Sequence, residues 1–249
     1  MRGKGFLAIA LLTAILCGWL GIGAADDEGN AATPINADSL WDLVSTCVNR
    51  EGVATAAPLC TCKAFALSCC GDRSTPNDAV VWAETPEFVA IRNLKMCGCD
   101  AGFVAGLALP RTRVSGLEDP HRPEGIWPFA WEVAHKRIRD ELDIALMINP
   151  IPARSQNQLH VHLLRLKPGV RAKLEAALQA NGTLAEPPGT IVFQLANVNA
   201  VFADAIAHVG AARLGDHGIL VARAREGGFL AAITHWRSPD VLTVSHCRK

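Results

Sequence analysis

Residues 155–169 read SQNQLHVHLLRLKPG, and the fold turns on how this run is laid out. From Leu159 to Leu166 it is apolar apart from His160, His162 and Arg165. Side chains in a strand alternate between faces, so Gln158, His160 and His162 share one face while Leu159, Val161 and Leu163 share the other. The second set belongs in a core. The first set does not, because polar groups at three successive same-face positions need either solvent or a ligand. LHVHLLRL is therefore predicted as a strand entered through Gln158.

Working outward, DIALMIN (143–149) reads as a buried strand and PIPARSQ as the loop joining it to the histidine strand. KPGVRAKLEAALQANG is a helix with Pro168 in its first turn and Asn181-Gly182 closing it. Upstream, EFVAIRNL (87–94) and GFVAGLALP (102–110) form a hairpin turned by MCGC and Asp100, and the prolines and glycines of 111–125 make a loop. WPFAWEVAHKRIRDEL has helical spacing, with Trp127, Trp131, Ala134 and Ile138 on one stripe. Downstream, GILVARAREGGFLAAITHW is a hairpin around Glu226-Gly227-Gly228. Near the N-terminus, 37–50 fits a short amphipathic helix capped by Asp38 or Ser39. Hairpins recur and helices interrupt them irregularly, so the fold class is α+β, with a largely antiparallel sheet and flanking helices.

The chain of 249 residues is 50% hydrophobic and 19% charged, with a formal net charge of zero. No basic surface announces a nucleic-acid partner. Arg2 and Lys4 precede an uncharged run from Gly5 to Ala25, and acidic residues follow. This is the plan of a signal peptide, and the run is close to the ~20 residues of a membrane-spanning helix. Residues 1–25 are thus expected to form an apolar helix acting as a signal anchor or a cleaved signal peptide. In either case 26–249 lies outside the cytoplasm. Residues 26–80 are expected to form a linker and a cysteine-rich segment, and 81–249 the main folded domain. Besides Cys17 there are cysteines at 47, 60, 62, 69, 70, 97, 99 and 247. An even number in an exported chain reads as disulfides before zinc, because the C-x-C and C-C spacings differ from the usual ligand pairs.

The histidine face admits several chemistries. A neutral imidazole can attack a phosphoryl group, neighbouring polar groups fixing its tautomer. H-x-H on a strand can also chelate zinc with at least one more ligand, act as a pH-sensitive surface, or be two exposed histidines without a role. No P-loop, dinucleotide fingerprint or G-x-S-x-G elbow is present.

The wider pattern narrows the choice. With Asn149 on the preceding strand and Ser155 three residues before Gln158, the segment resembles the histidine-triad signature His-φ-His-φ-His-φφ, Gln158 standing where the first histidine would be. Arg113, Gly116, Glu118 and Pro120 (R-x-x-G-x-E-x-P) lie upstream of the segment, as do Trp127 and Trp131 on a helix. Lys167, Pro168, Val170 and Arg171 follow it. Together these look like the CDP-diacylglycerol pyrophosphatase family over residues 85–249, most strongly over 143–180.

The resemblance implies a histidine-triad-like (HIT-like) fold and cleavage of CDP-diacylglycerol to CMP and phosphatidate. His160 would attack the phosphate nearest cytidine, and water would release CMP from cytidylyl-His160. His162 would contact phosphate or leaving-group oxygens, and Gln158 would orient His160. Asn149 and Ser155 would donate to the phosphate, and Arg154 would be a further phosphate contact. No metal or cofactor is implied. The expected partners are the lipid nucleotide, a membrane surface reached through the N-terminal segment, and a second copy in a homodimer, since the superfamily is often dimeric. The expected location is the bacterial inner membrane, with a single N-terminal span and the catalytic body in the periplasm, or export if that segment is cleaved. Trp82 and Trp127 are either core or lipid contacts. Glu118 caps a helix or pairs with Arg113, and His121 lies in a surface loop or lines the pocket. Two alternatives stay open: a HIT-like hydrolase of another nucleotide diphosphate ester, and a non-catalytic, exported cysteine-rich binding protein.

Overall fold

The structure, a computed structural model, describes residues 37–48, 81–93, 96 and 99–247. Its centre is a sheet of ten strands: β1 (Val81–Glu84), β2 (Phe88–Arg92), β3 (Gly106–Pro110), β4 (Ile144–Ile148), β5 (Val161–Leu166), β6 (Thr183–Leu184), β7 (Thr190–Leu195), β8 (His217–Arg223), β9 (Phe229–His235) and β10 (Thr243–Val244). The order is β1-β2-β3-β5-β4-β8-β9-β7-β6, with β10 paired to the far end of β5. Every pairing is antiparallel. The α+β expectation holds in that form.

Period-two alternation divides the core between the two faces of the sheet. Leu159, Val161 and Leu163 join one cluster with Leu146, Ile148, Ile219 and Val221. That face is covered by α2 (Ile126–Arg137) and α4 (Val201–Val209), through Trp127, Ala130, Val133, Phe202 and Ala205. Leu164 and Leu166 join Met147, Leu220 and Leu230 on the opposite face, under Leu174 and Ala177 of α3 (Val170–Ala180). His162 is in register with Met147, so it belongs to the α3 face.

The predicted glycine turns form, whereas Pro168, expected in the first turn of its helix, lies in the turn before α3, whose N-cap is Gly169. Gly227 and Gly228 both take positive φ in the β8–β9 hairpin, which only glycine adopts freely. α3 ends as Gly182 donates back to the Ala177 carbonyl at 2.8 Å, a left-handed glycine stop. Helix α2 stops at Arg137, earlier than the sequence pattern suggests, because Ile138 turns extended and buries itself in the core. Trp131, expected on the buried stripe, is half-buried and meets Phe229 edge-on at 4.8 Å. Two long-range caps have no local signature: Glu124 accepts from the Phe202 and Ala203 amides at the start of α4, and Gln156 accepts from Leu40 at 2.9 Å. The Leu40 contact, with Asn157 donating to the Ala37 carbonyl, docks the short helix α1 (Ser39–Asp42) beside the loop that leads into β5.

Three sequence expectations change. The histidine strand begins at Val161 rather than at Leu159, and Gln158, through which it is entered, lies in a bend. The reason is that Gln158 is bonded to the 110–114 loop and its carbonyl to an imidazole, so neither enters the ladder. Trp127 is fully buried and thus core, not a lipid contact, while Trp82 is half-buried beneath Arg137, 4.9 Å from its ring. Glu118 pairs with Arg154 rather than Arg113, which instead reaches Asp38 at 2.9 Å.

Of the cysteines, Cys99 and Cys247 form a disulfide. The expected apolar helix of 1–25 and the whole of the cysteine-rich segment 55–79 lie outside the described residues. Among the described residues no helix is long and apolar enough to cross a membrane.

Candidate active site

The candidate residues converge on the β4–β5 connection. Asn149 follows β4 directly, a 3-10 turn spans Ile151–Ala153, and Arg154 to His160 lead into β5. Hydrogen bonds, rather than helix or strand, shape this segment.

Gln158 is completely buried. Its amide nitrogen donates to the carbonyls of Pro110 (3.1 Å) and Thr112 (2.8 Å), and its side-chain oxygen accepts from the Val114 amide at 3.3 Å. Those three bonds splice the loop after β3 onto the approach to β5, with Leu159 donating to the Val114 carbonyl at 2.6 Å alongside. A histidine ring could not make both donations and the acceptance at once. The amide therefore anchors the loop. What orients His160 is the main chain of the same residue: Nδ1 of His160 lies 2.7 Å from the Gln158 carbonyl oxygen.

That contact fixes the chemistry of the ring. A carbonyl only accepts, so Nδ1 carries the proton and Nε2 of a neutral imidazole keeps its lone pair. Burial is the largest influence on its titration and pushes the pKa below the ordinary histidine value. The carbonyl opposes this, and the positive charge of Arg154 adds to the lowering. At neutral pH the ring is uncharged, with one nucleophilic nitrogen. His162 sits beside it, ring centroids 4.7 Å apart and planes at 66°.

Around the pair, Asn149 is held by Ser238, whose hydroxyl donates to Oδ1 at 2.6 Å. The amide Nδ2 is then the end of Asn149 suited to an anion. Ser238 also accepts from Asp240 at 3.1 Å, so the segment after β9 is tied to the site. Arg154 donates through Nη1 to both carboxylate oxygens of Glu118 at 2.7 Å. The guanidinium has further N–H groups for a second anion. Gly116 explains itself here: a Cβ would stand 2.1 Å from Arg154 Nη1 and 2.8 Å from Glu118 Oε2. Ser155 is exposed at the outer turn of the loop. His121 is almost wholly exposed, 3.3 Å from Asp119.

Asn149, Arg154, Gln158, His160 and His162 are thus brought together, with Ser155 on the same short loop but outside the packed part. Ser238 was missed by sequence reasoning, since a lone serine far along the chain gives no signal before pairing places it beside Asn149. Among the described residues, no three His, Cys, Asp or Glu side chains gather into a set that could hold a metal.

Residues 99–191 match the family model of CDP-diacylglycerol pyrophosphatase. The match runs from the loop before β3 into β7, and so contains the Gly116–Glu118 loop, Asn149, Arg154, Ser155, Gln158 and both histidines. It agrees with the resemblance read from the sequence, on the family and on the enzyme class: a CDP-diacylglycerol pyrophosphatase is a hydrolase of a phosphoric anhydride bond.

Proposed function

We propose that the chain hydrolyses the pyrophosphate bond of CDP-diacylglycerol to CMP and phosphatidate through a cytidylyl-His160 intermediate, on a HIT-like fold. The observation that carries this reading is the buried, neutral His160, with Nδ1 committed to a carbonyl and Nε2 left as the nucleophile. In the first step Nε2 bonds to the phosphorus nearest cytidine, and the bridging P–O bond breaks with its electron pair leaving on phosphatidate. In the second, water attacks the same phosphorus, the P–N bond breaks, His160 is restored and the water's proton passes to solvent. Charge on the non-bridging oxygens is met by Arg154, by Asn149 Nδ2 and by the Ser155 hydroxyl, and His162 contacts the leaving-group side.

Residues 1–25 then hold the catalytic body at the periplasmic face of a bacterial inner membrane, within reach of a substrate whose acyl chains stay in the bilayer. The test is CMP release from CDP-diacylglycerol micelles by the purified full-length chain in EDTA, beside His160→Ala. The reading expects chelator-resistant release that falls by roughly 10³-fold or more in the variant. Release that EDTA abolishes would move the histidines to metal ligation instead.

A further inference from the structure

Three large apolar side chains stand exposed among the described residues: Ile151 (44%), Trp236 (63%) and Val241 (52%). Ile151 is far in sequence from the other two, yet Ile151 and Trp236 both stand next to the Asn149–Ser238 pair, and Val241 lies three residues beyond Ser238. Ile151 is two residues beyond Asn149, while Trp236 and Val241 bracket Ser238, and Asn149 and Ser238 are hydrogen-bonded to each other. Further contacts join Ile151 to Trp236. A Cβ built on Gly215 would meet the Ile151 side chain at 2.7 Å, and the Trp236 amide donates to the Asp216 carbonyl at 2.7 Å.

The segment that carries Trp236 is built to present it. Trp236 has φ +58°, a left-handed conformation that costs a bulky residue energy and persists only where the surroundings impose it. They do so on both sides: the Asp216 bond holds its amide, and Thr234 Oγ1 donates to the Arg237 carbonyl at 2.6 Å. Gly218 gives the segment room, since a Cβ there would meet Pro239, Thr234 and the Arg237 carbonyl within 3 Å. The indole stands 63% exposed and is followed directly by the exposed Arg237. At the other end of the segment, Lys167 donates to the Val241 carbonyl at 2.7 Å, placing an ammonium beside the second exposed apolar residue.

Exposed tryptophan and aliphatic side chains flanked by cations make the composition of an interfacial membrane contact: the apolar tips enter the headgroup boundary and the cations meet anionic lipid. We propose that Ile151, Trp236 and Val241, with Arg237 and Lys167, form a docking surface for a bilayer containing anionic phospholipid, seating the mouth of the site on the membrane. None of these residues belongs to the N-terminal segment, and the purpose of the surface rests on the lipid reading of the substrate given above. A tether alone would leave the site free to face any direction. This rim orients it.

The test uses the full-length chain in phosphatidylcholine–phosphatidylglycerol vesicles, so that the N-terminal segment is common to every sample. In vesicles with brominated acyl chains, tryptophan emission is quenched, and Trp236→Phe removes a clear part of that quenching. In parallel, Trp236→Ser lowers hydrolysis of vesicle-embedded CDP-diacylglycerol about tenfold, while a short-chain, monomeric CDP-diglyceride is hydrolysed at the unaltered rate. Quenching that survives Trp236→Phe in full, or an equal fall on both substrates, overturns the docking surface. If the unaltered protein hydrolyses neither substrate but the Trp236-dependent quenching is present, the substrate reading fails and the docking surface stands.

Discussion

His160 shows how one hydrogen bond can assign a reactive atom. The sequence places His160 and His162 on one face, and alternation alone carries that far. It gives the supporting role to the Gln158 side chain, whereas the structure gives it to the Gln158 carbonyl. An amide is as well suited as an imidazole to the sequence pattern, and only the positions of Pro110, Thr112 and Val114 reveal what it holds. Titration follows from the same contacts. The folded-state pKa of His160 lies below that of the unfolded chain, so protonation favours unfolding. The stability tied to its neutral form is therefore complete above the ordinary value of ~6.5 and is lost as pH falls below it. His217, also lowered by burial, acts in the same direction. For catalysis, the acid limb of kcat/KM is expected below ~6.5. Because Arg154 contributes to the lowering, Arg154→Gln shifts that limb upward in pH as well as reducing the rate. An acid limb that does not move would show that Arg154 exerts no charge effect on the nucleophile.

At the scale of elements, the β4–β5 connection is a loop whose geometry is imposed from three other parts of the chain. The 110–118 loop supplies Gln158's partners and Glu118, the segment after β9 supplies Ser238, and α1 with the Ala37 carbonyl before it engages Gln156 and Asn157. Strands β2 to β5, β8 and β9, with α3, were legible because period and turn residues mark them locally, whereas β1, β6, β7 and β10 were not read from the sequence. These cross-connections were not, since Ser238 and Glu118 carry no local sign of the residues they meet. Gly116 was legible only as part of a motif, and the structure gives the motif a cause. Gly116→Ala puts a methyl group against the Arg154 guanidinium, a flexible group that can swing away. The expected outcome is a small change in thermal midpoint, on the order of 1 kcal/mol or less, with a rate loss comparable to that of Arg154→Gln. A large loss of stability with kcat intact would mean that the glycine serves the backbone instead.

Across the whole molecule, one antiparallel sheet carries the site on the face that α3 covers, while α2 and α4 close the other. Composition and hairpin spacing made that class readable. Strand order was not readable, because β3 pairs with β5 across an intervening helix and strand, and β10 returns to the far end of β5. The disulfide between Cys99 and Cys247 ties the loop before β3 to the end of the chain, 148 residues apart. Even cysteine number suggested disulfides, but pairing is a property of the folded chain. Cys247→Ser is expected to cost ~2–4 kcal/mol by restoring freedom to the unfolded chain, measurable as a lower denaturant midpoint in the oxidised protein. The difference should vanish when both proteins are reduced. Equal midpoints under oxidising conditions would show that this bridge does not form in solution.

In the proposed reaction His160 becomes covalently bonded to the cytidine-side phosphate. The decisive experiment mixes full-length protein with CDP-diacylglycerol labelled at that phosphate, quenches in base within one turnover, and maps the label. The expected outcome is an acid-labile label on the peptide containing His160, formed before CMP is released and absent from His160→Ala. CMP released at full rate with no labelled protein at any time would contradict it, and would mean that water attacks the phosphate directly.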